Sequence, residues 1–451
     1  MRKPALITLT ALILLSATAS AYGNLDEAEG AFERGDYEST FDTFRALAEE
    51  GDPAAQWRVG FIFEFRQEVD EAVKWYRRAA EGGYALGQVS LAFAYASGRI
   101  GTERSSEEAA RWFARSIKGV RQLAEEGDGH AQFFLSTLYT IGHGVEQDRL
   151  QAHMWLYRAV LSGNPAAIVA LRDMALTGQV DPGIAVAILR PLGERGVTAA
   201  QAALGDLYRE TAGPPQDFTE AARWYEQAAE QGDVRAIMYV AAAYFDGRGV
   251  RADLERAAAW YRRAAETEAP EAQFMLGSLY AAHSDLYDPV EAAKWYRKAA
   301  KQGFARAQFS LGVLYSNGRG VPQSYAEAVE WYRKAADQGH LGAKQRVGAA
   351  YYSGLGVPQD YAQAHRWLGP PAQAGEPESQ FLLGFMYFEG KGLPQDNVHG
   401  YKWVNLAAAQ GLEEAREYRD SIAREMTREQ IAEGQRVARE WWEAHHAEND
   451  D

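Results

Sequence analysis

The chain contains no cysteine. That excludes a disulfide framework, a thiol nucleophile and any thiolate metal site. A surplus of positive charge is also missing. Against 47 basic residues stand 62 acidic ones, a net charge of −15, which argues against a general nucleic-acid binder. Long hydrophobic runs are absent too. The apolar stretch Ala5 to Leu15 is eleven residues, short of the ~20 that span a bilayer. No later stretch approaches that length, so no membrane span is expected in the mature chain. What remains is ample material for a core: 47% of the 451 residues are hydrophobic and 24% charged, which excludes disorder.

Arg2 and Lys3 precede the apolar stretch, and the small residues Ala19-Ser20-Ala21 follow it. This is the three-part pattern of a secretory signal peptide over residues 1–21, cut after Ala21. Cleavage would leave 45 basic and 62 acidic residues, a net charge of −17. The expected location is a bacterial periplasm, or outside the cell. No cysteine follows the cut, so a lipid anchor is not expected.

The rest of the chain repeats one pattern. A Trp followed by an apolar or aromatic residue recurs at Trp75-Tyr76, Trp112-Phe113, Trp155-Leu156, Trp224-Tyr225, Trp260-Tyr261, Trp295-Tyr296, Trp331-Tyr332, Trp367-Leu368 and Trp403-Val404. From Trp224 onward the steps are 36, 35, 36, 36 and 36 residues. A second mark keeps the same phase: Leu204-Gly205, Val240-Ala241, Leu276-Gly277, Leu311-Gly312, Val347-Gly348 and Leu383-Gly384, each followed three residues later by Tyr. In Ala307 to Tyr315 the spacing of four between Ala307, Leu311 and Tyr315 makes one helical face, and Gly312 notches it so that another helix can approach.

Each unit therefore reads as two helices. The second begins with a capping Ser or Asp seven residues before the Trp: Ser105, Asp148, Asp217, Asp253, Asp288, Ser324, Asp360 and Asp396. A glycine closes it eight residues after the Trp, as at Gly83, Gly163, Gly232, Gly303, Gly339, Gly375 and Gly411. The gap between Trp155 and Trp224 holds a degenerate repeat, capped at Asp181, with Ile188-Leu189 in the aromatic slot. Pro191 is expected to kink its second helix, making this the weakest joint of the array. After Trp112 the closing glycine arrives seven residues late, at Gly127. Seven residues are about two turns, so the helix should lengthen without rotating its buried stripe. Pro370-Pro371 should shorten the helix that holds Trp367.

Taken together, Ala-x-x-x-Leu-Gly-x-x-Tyr-x-x-Gly-x-Gly-Val, the Asp cap, Trp-Tyr and the closing Gly resemble the Sel-one-like repeat, a relative of the tetratricopeptide repeat, over Gly51 to Gly411. A lone helix pair cannot bury its apolar face, and stacking supplies a continuous core. The expected fold is all-α, a right-handed α-solenoid of about eleven stacked helix pairs with one concave side. The organisation follows: signal peptide at 1–21, a degenerate pair at 22–50, a first sub-array at 51–196, regular repeats at 197–411, and capping helices with a polar tail at 412–451. Thr427 to Gln430 reads as a capping box.

No reactive centre emerges. The nine His show no His-x-x-x-His spacing. The Gly-x-Gly pairs, such as Gly318 and Gly320, follow helices and lack the Lys-Ser/Thr of a phosphate cradle. No cofactor and no metal are expected, and the chain is read as non-enzymatic. By the resemblance, the first helix of each pair lines the concave face. Its exposed positions are two residues before the Leu of Leu-Gly, and two and five after it. They hold Trp57, Phe61, Val89, Phe93, Phe133, Met238, Phe245, Phe274, Phe309, Val313, Tyr352, Phe381, Phe385 and Phe388. Such an apolar lining marks a partner site. Phe133, Phe274, Phe309 and Phe381 have a second reading, packed against the next repeat, whereas Phe385 and Phe388 read as exposed. The expected function is a scaffold holding a peptide or partner helix in the groove. The resemblance places exported members in envelope assembly, exopolysaccharide production or its regulation, and host interaction. The alternatives are direct polysaccharide binding and hydrolysis of a beta-lactam or glycan. Family members linked to beta-lactams are rich in cysteine, which this chain lacks.

Overall fold

The computed structural model describes residues 25–33, 35–98, 104–211 and 216–446. The expected signal peptide lies outside the described residues. Among them are 24 α-helices and no strand, an all-α solenoid of consecutive helix pairs.

An N-terminal pair is formed by α1 (Leu25–Glu33) and α2 (Tyr37–Glu49). The pairs that follow are α3 (Pro53–Phe65) with α4 (Val69–Glu81), α5 (Ala85–Ser97) with α6 (Ser106–Glu126), and α7 (Gly129–Ile141) with α8 (Arg149–Leu161). Next come α9 (Pro165–Leu176) with α10 (Pro182–Glu194) and α11 (Thr198–Glu210) with α12 (Phe218–Glu230), followed in chain order by α13 (Val234–Asp246) and α14 (Leu254–Glu266). The array continues through α15 (Pro270–Ala282) with α16 (Pro289–Lys301), α17 (Ala305–Asn317) with α18 (Tyr325–Asp337), and α19 (Leu341–Ser353) with α20 (Tyr361–Gln373). It ends with α21 (Pro377–Glu389), α22 (Asn397–Ala409), α23 (Glu413–Ile422) and α24 (Arg428–His446). The chain divides into two compact units, residues 1–252 and 253–451. The sub-array boundary expected from the sequence was at Gly196.

Local chemistry sets the helix ends. Each capping Ser or Asp named above accepts a hydrogen bond from an amide in the first turn of its second helix, as Asp360 does from Gln363 at 3.0 Å. Each closing glycine takes positive φ, from 85° at Gly196 to 105° at Gly127. Trp260 is the exception. Its closing slot holds Glu268, at φ 63°.

The pairs close around a missing Cβ. A Cβ built on Gly312 would lie 2.6 Å from the Tyr332 ring, and one on Gly277 would lie 2.7 Å from the Tyr296 ring. Gly60 receives Tyr76, Gly205 receives Tyr225, and Gly348 receives Leu368 in the same way. In these pairs the residue after the Trp is thus the knob, and the glycine is the hole.

Several neighbouring pairs are joined by a buried glutamine at the fourth position of the first helix. Gln308 Nε2 donates to the carbonyl of Ala300 at 3.1 Å, in the last turn of the preceding second helix. Its Oε1 accepts from Gln338 at 2.8 Å. Gln273 bonds the Ala265 carbonyl and accepts from Gln302, and Gln380 bonds the Ala372 carbonyl and accepts from Gln410. A buried amide satisfied on both ends fixes the spacing of the pairs.

One expectation about irregular repeats is corrected. Pro370 and Pro371 do not shorten α20, which runs through both to Gln373. They fall in the last turns, where burial of Leu368, Pro371 and Ala372 outweighs two lost donors, and the Ala374 amide still reaches the Pro370 carbonyl at 3.0 Å. The degenerate repeat is the weak joint expected of it, since α9 meets α8 and α10 over far fewer residues than the helices of the regular pairs meet, while its join to α11 is firmer. α10 continues past Pro191 to Glu194, and Gln201 Nε2 donates to the Gly193 carbonyl at 3.0 Å. Arg172 of α9 pairs with buried Asp206 of α11 at 2.8 Å.

The late glycine after Trp112 has the expected effect. α6 is 21 residues long, where the regular second helices have 13. Val120 is fully buried, and Ile117 and Leu123 pack against the same core. The following pair docks two turns further along. A Cβ on Gly249 or Gly320 would strike the carbonyl of the first residue of the preceding second helix, Phe218 or Pro289. At Gly144 the atom met is the carbonyl of Phe113, seven residues into α6.

Glu268 is the one closing residue from Gly83 to Gly411 with a side chain. Left-handed backbone costs an L-residue about 1–2 kcal/mol. Glu268→Gly should therefore raise stability by about 1 kcal/mol in urea unfolding, and Gly303→Glu should lower it by a similar amount.

Candidate functional site

The expected groove residues lie on the first helices, and the structure separates them into three groups. The first is sealed. Trp57, Val89, Phe274 and Phe388 are buried at 1%, 0%, 7% and 6% exposure, which corrects the expectation that Trp57, Val89 and Phe388 line an open surface and gives Phe274 its second reading, packed against the next repeat. The position two before the Leu faces the N-cap residue of the next first helix. Trp57 packs on Tyr84 at 6.1 Å between ring centroids, and Phe274 packs on Phe304 at 5.4 Å. Phe309 stacks on His340 at 4.6 Å in the same way, though it stays half-buried. An aromatic N-cap gives up the side-chain cap at Tyr84 and Phe304 and provides a stacking surface instead. Phe388 is covered by the C-terminal helices: its ring lies 6.2 Å from Tyr418 of α23, and its Cβ lies 3.0 Å from where a Cβ on Gly400 would sit.

The second group belongs to the N-terminal unit. Here the chain covers its own first helices. Phe32 of α1 is fully buried, 6.0 Å from Trp57, 5.5 Å from Phe61 and 5.5 Å from His130 of α7. Trp57 Nε1 donates to Ser90 Oγ at 3.1 Å. Phe93 stacks on Phe134 at 6.0 Å and lines a cavity of about 260 Å³ with Tyr76 and Glu64. Phe133, Met238 and Phe245 are half-buried. The first-helix face also carries a polar centre that sequence reasoning missed. Buried Asp206 accepts from Arg172 at 2.8 Å and from the Tyr225 hydroxyl, and it forms an ion pair with Arg235 at 3.1 Å. Burial, with the Asp206 carboxylate beside it, holds the Tyr225 hydroxyl protonated far above its ordinary range. The signal in the sequence is Asp206 itself, a carboxylate two residues after the Leu where Val313 and Phe385 stand in other repeats.

The third group lies in the C-terminal unit. Val313, Tyr352, Phe381 and Phe385 are half-buried on α17, α19 and α21. Phe385 has Tyr418 at 5.1 Å and Tyr352 at 6.1 Å, and the Lys391 ammonium sits 4.6 Å above its ring. Phe381 meets Tyr418 edge-on at 5.9 Å, and Tyr361 meets Tyr352 at 5.6 Å. The Tyr418 hydroxyl donates to Glu389 at 3.2 Å, and burial together with that carboxylate raises its pKa. Aromatic rings set among one ammonium and one carboxylate suit a partner carrying apolar side chains with polar edges.

The profile of the Sel1 repeat matches nine segments, residues 53–84, 85–119, 129–164, 198–233, 234–266, 270–304, 305–340, 343–370 and 377–412, more than half of the chain. The chain belongs to the Sel1 repeat family. One stretch between Sel1 matches, 165–197, is the degenerate repeat, and another, 120–128, ends the lengthened α6. Sel1 repeats suggest a protein-interaction scaffold. Among similar proteins, an uncharacterised protein of Neisseria meningitidis serogroup B is 30% identical over 47% of this chain and 42% of its own length. Chitin synthase regulatory factor 3 of Schizosaccharomyces pombe is 30% identical over 32% of this chain and 15% of its own. The chain thus spans less than half the length of these curated relatives. Of solved structures, a protective antigen of uropathogenic Escherichia coli displaying an SLR fold is 26% identical, over 90% of this chain and 95% of that one, with a TM-score of 0.45. A Sel1 repeat protein from Oxalobacter formigenes is 30% identical, over 51% and 96%, with a TM-score of 0.42. Among the described residues no helix is long and apolar enough to cross a membrane, and no group of three or more His, Asp or Glu could hold a metal ion.

His130 yields a test of the covered face. Desolvation first, then Arg58, lowers its pKa from 6.5 to about 3, and its Nε2 has no hydrogen-bond partner. Below pH 6.5 the unfolded chain binds a proton that the folded chain refuses down to about pH 3. The stabilisation is therefore full above pH 6.5 and is lost as pH falls toward 3. His130→Phe should flatten the fall in urea-unfolding stability across that window. An unchanged pH slope would place the ring in water.

Proposed function

We propose that this chain is a non-enzymatic interaction scaffold of the bacterial envelope. It is exported through a signal peptide cut after Ala21, and it holds a peptide or partner helix against the first-helix face of its C-terminal unit. Tyr352 and Phe385 are the anchors. The observation that carries this reading is the half-buried ring set around Phe385, with Lys391 above it and Glu389 beside it. Tyr and Phe in such partly desolvated places are the usual hot spots of interfaces. Two relatives bear names of regulators of chitin synthase, proteins that act on an enzyme of polysaccharide synthesis. That supports an adaptor role in exopolysaccharide assembly or its regulation.

The same aromatic edges favour one second reading, direct binding of a polysaccharide by stacking. The two are separated by one experiment. The mature chain, with a photo-crosslinking residue at Val313, is exposed to envelope extract, and in parallel it is titrated calorimetrically with oligosaccharides. The scaffold reading expects a defined protein adduct whose yield falls about tenfold or more in Tyr352→Ala/Phe385→Ala, with helical content unchanged. An adduct that survives both changes overturns the site. Oligosaccharide binding that both changes abolish establishes the second reading. The export part predicts a periplasmic protein whose first residue, by mass spectrometry, is Tyr22.

A further inference from the structure

The exposed face of α8 differs from that of every other second helix from α2 to α22. Take the positions one, five, eight and twelve residues after the helix start. In α4 they hold Asp70, Lys74, Arg77 and Glu81. Each of the others carries at least one charged side chain at these places. α8 carries none. It has Leu150, Met154, Tyr157 and Leu161, exposed at 69%, 42%, 48% and 47%. Ile184 on the neighbouring α10 extends the surface at 57%. Single exposed apolar residues are ordinary, but a continuous stripe of them is not.

Three features identify what covers it. First, the spacing of the stripe is four, three, four, the seam of a helix that packs on another helix. That spacing reads the same in both directions. An antiparallel copy therefore presents the same row, with Leu150 of one copy against Leu161 of the other and Met154 against Tyr157. A two-fold interface requires this kind of self-complementarity. Second, the charge is balanced locally. Gly129 to Leu176 holds Glu146, Asp148 and Asp173 against Arg149, Arg158 and Arg172, while the whole chain carries −15. In the antiparallel pair Gln151 flanks Arg158, so no like charges meet, and Arg158 already lies over its own Trp155 ring at 4.6 Å. Third, the size is right. The five side chains expose on the order of 500 Å² per copy, so two copies would bury on the order of 1,000 Å², where specific interfaces begin.

We propose that the chain forms a two-fold dimer through the α8 stripe, in antiparallel register centred between Met154 and Tyr157. This surface lies in the N-terminal unit and is independent of the Phe385 site, so either can fail alone.

Sedimentation velocity on the mature chain at up to ~100 µM tests it, a concentration high enough to populate the weak dimer that an interface at the small end of the specific range would form. A dimer is expected, and it should strengthen as salt screens the net negative charge of each copy. Leu150→Glu/Tyr157→Glu should give a monomer with unchanged circular dichroism, as both side chains are solvent-facing. Because the chain has no cysteine, Met154→Cys introduces a single thiol, and a short bis-maleimide should link two copies there and not at Glu230→Cys on α12. A monomer at every salt concentration, a dimer that survives the double substitution, or equal cross-linking at the two thiols would each overturn the proposal.

Discussion

A side chain seated where a Cβ is missing holds most of the regular helix pairs together, a tyrosine ring at Gly60, Gly205, Gly277 and Gly312 and an aliphatic side chain at Gly348 and Gly384. At Gly312 and Gly277 the side chain of the facing helix approaches to a distance that no Cβ would allow. The approach buries Tyr332 and Tyr296 against small residues such as Ala328 and Ala292. Everything outside the pair depends on this closeness. It sets where the last turn of a second helix lies, and hence where Gln308 finds the Ala300 carbonyl. It also decides which positions of a first helix are left over for binding. The Asp206 centre shows the same geometry used differently: Tyr225 fills the Gly205 hole, and its hydroxyl reaches on to a carboxylate.

The sequence made the periodic, local features legible. Caps such as Asp288 and closing glycines such as Gly339 depend on a few neighbouring residues, so their spacing alone located the helices. The two-turn extension of α6 followed from a count of residues. The failures share a cause, which is that they depend on what lies across from a residue. Phe388 reads as exposed from its own helix and is buried because α22 and α23 close over it. Trp57 is sealed by Phe32, from a segment whose repeat character is degraded. Pro370 and Pro371 read as helix breakers, and tertiary burial overrode them. The glutamines were visible at constant spacing, but nothing in one residue says that its amide bridges two repeats.

The candidate site was legible only in part. Val313, Tyr352, Phe381 and Phe385 stand where the first-helix pattern places them, half-buried. The most exposed apolar stripe is elsewhere, on α8, and it was written in the sequence as a missing charge. Comparing the outward positions of successive repeats would have found it, because a second helix facing only water keeps Arg, Lys or Glu there. The architecture thus offers two kinds of surface, one made by first helices and one by a second helix that lost its charges. Neither needs a reactive group, and among the described residues no metal-binding cluster is formed.

Amide hydrogen exchange of the chain alone and of its purified complex tests the central claim most directly. The account predicts added protection in α19 and α21, residues 341–353 and 377–389, with α4 and α12 unchanged. Protection confined to the second helices, with the Tyr352 and Phe385 segments exchanging as in the free chain, would contradict it.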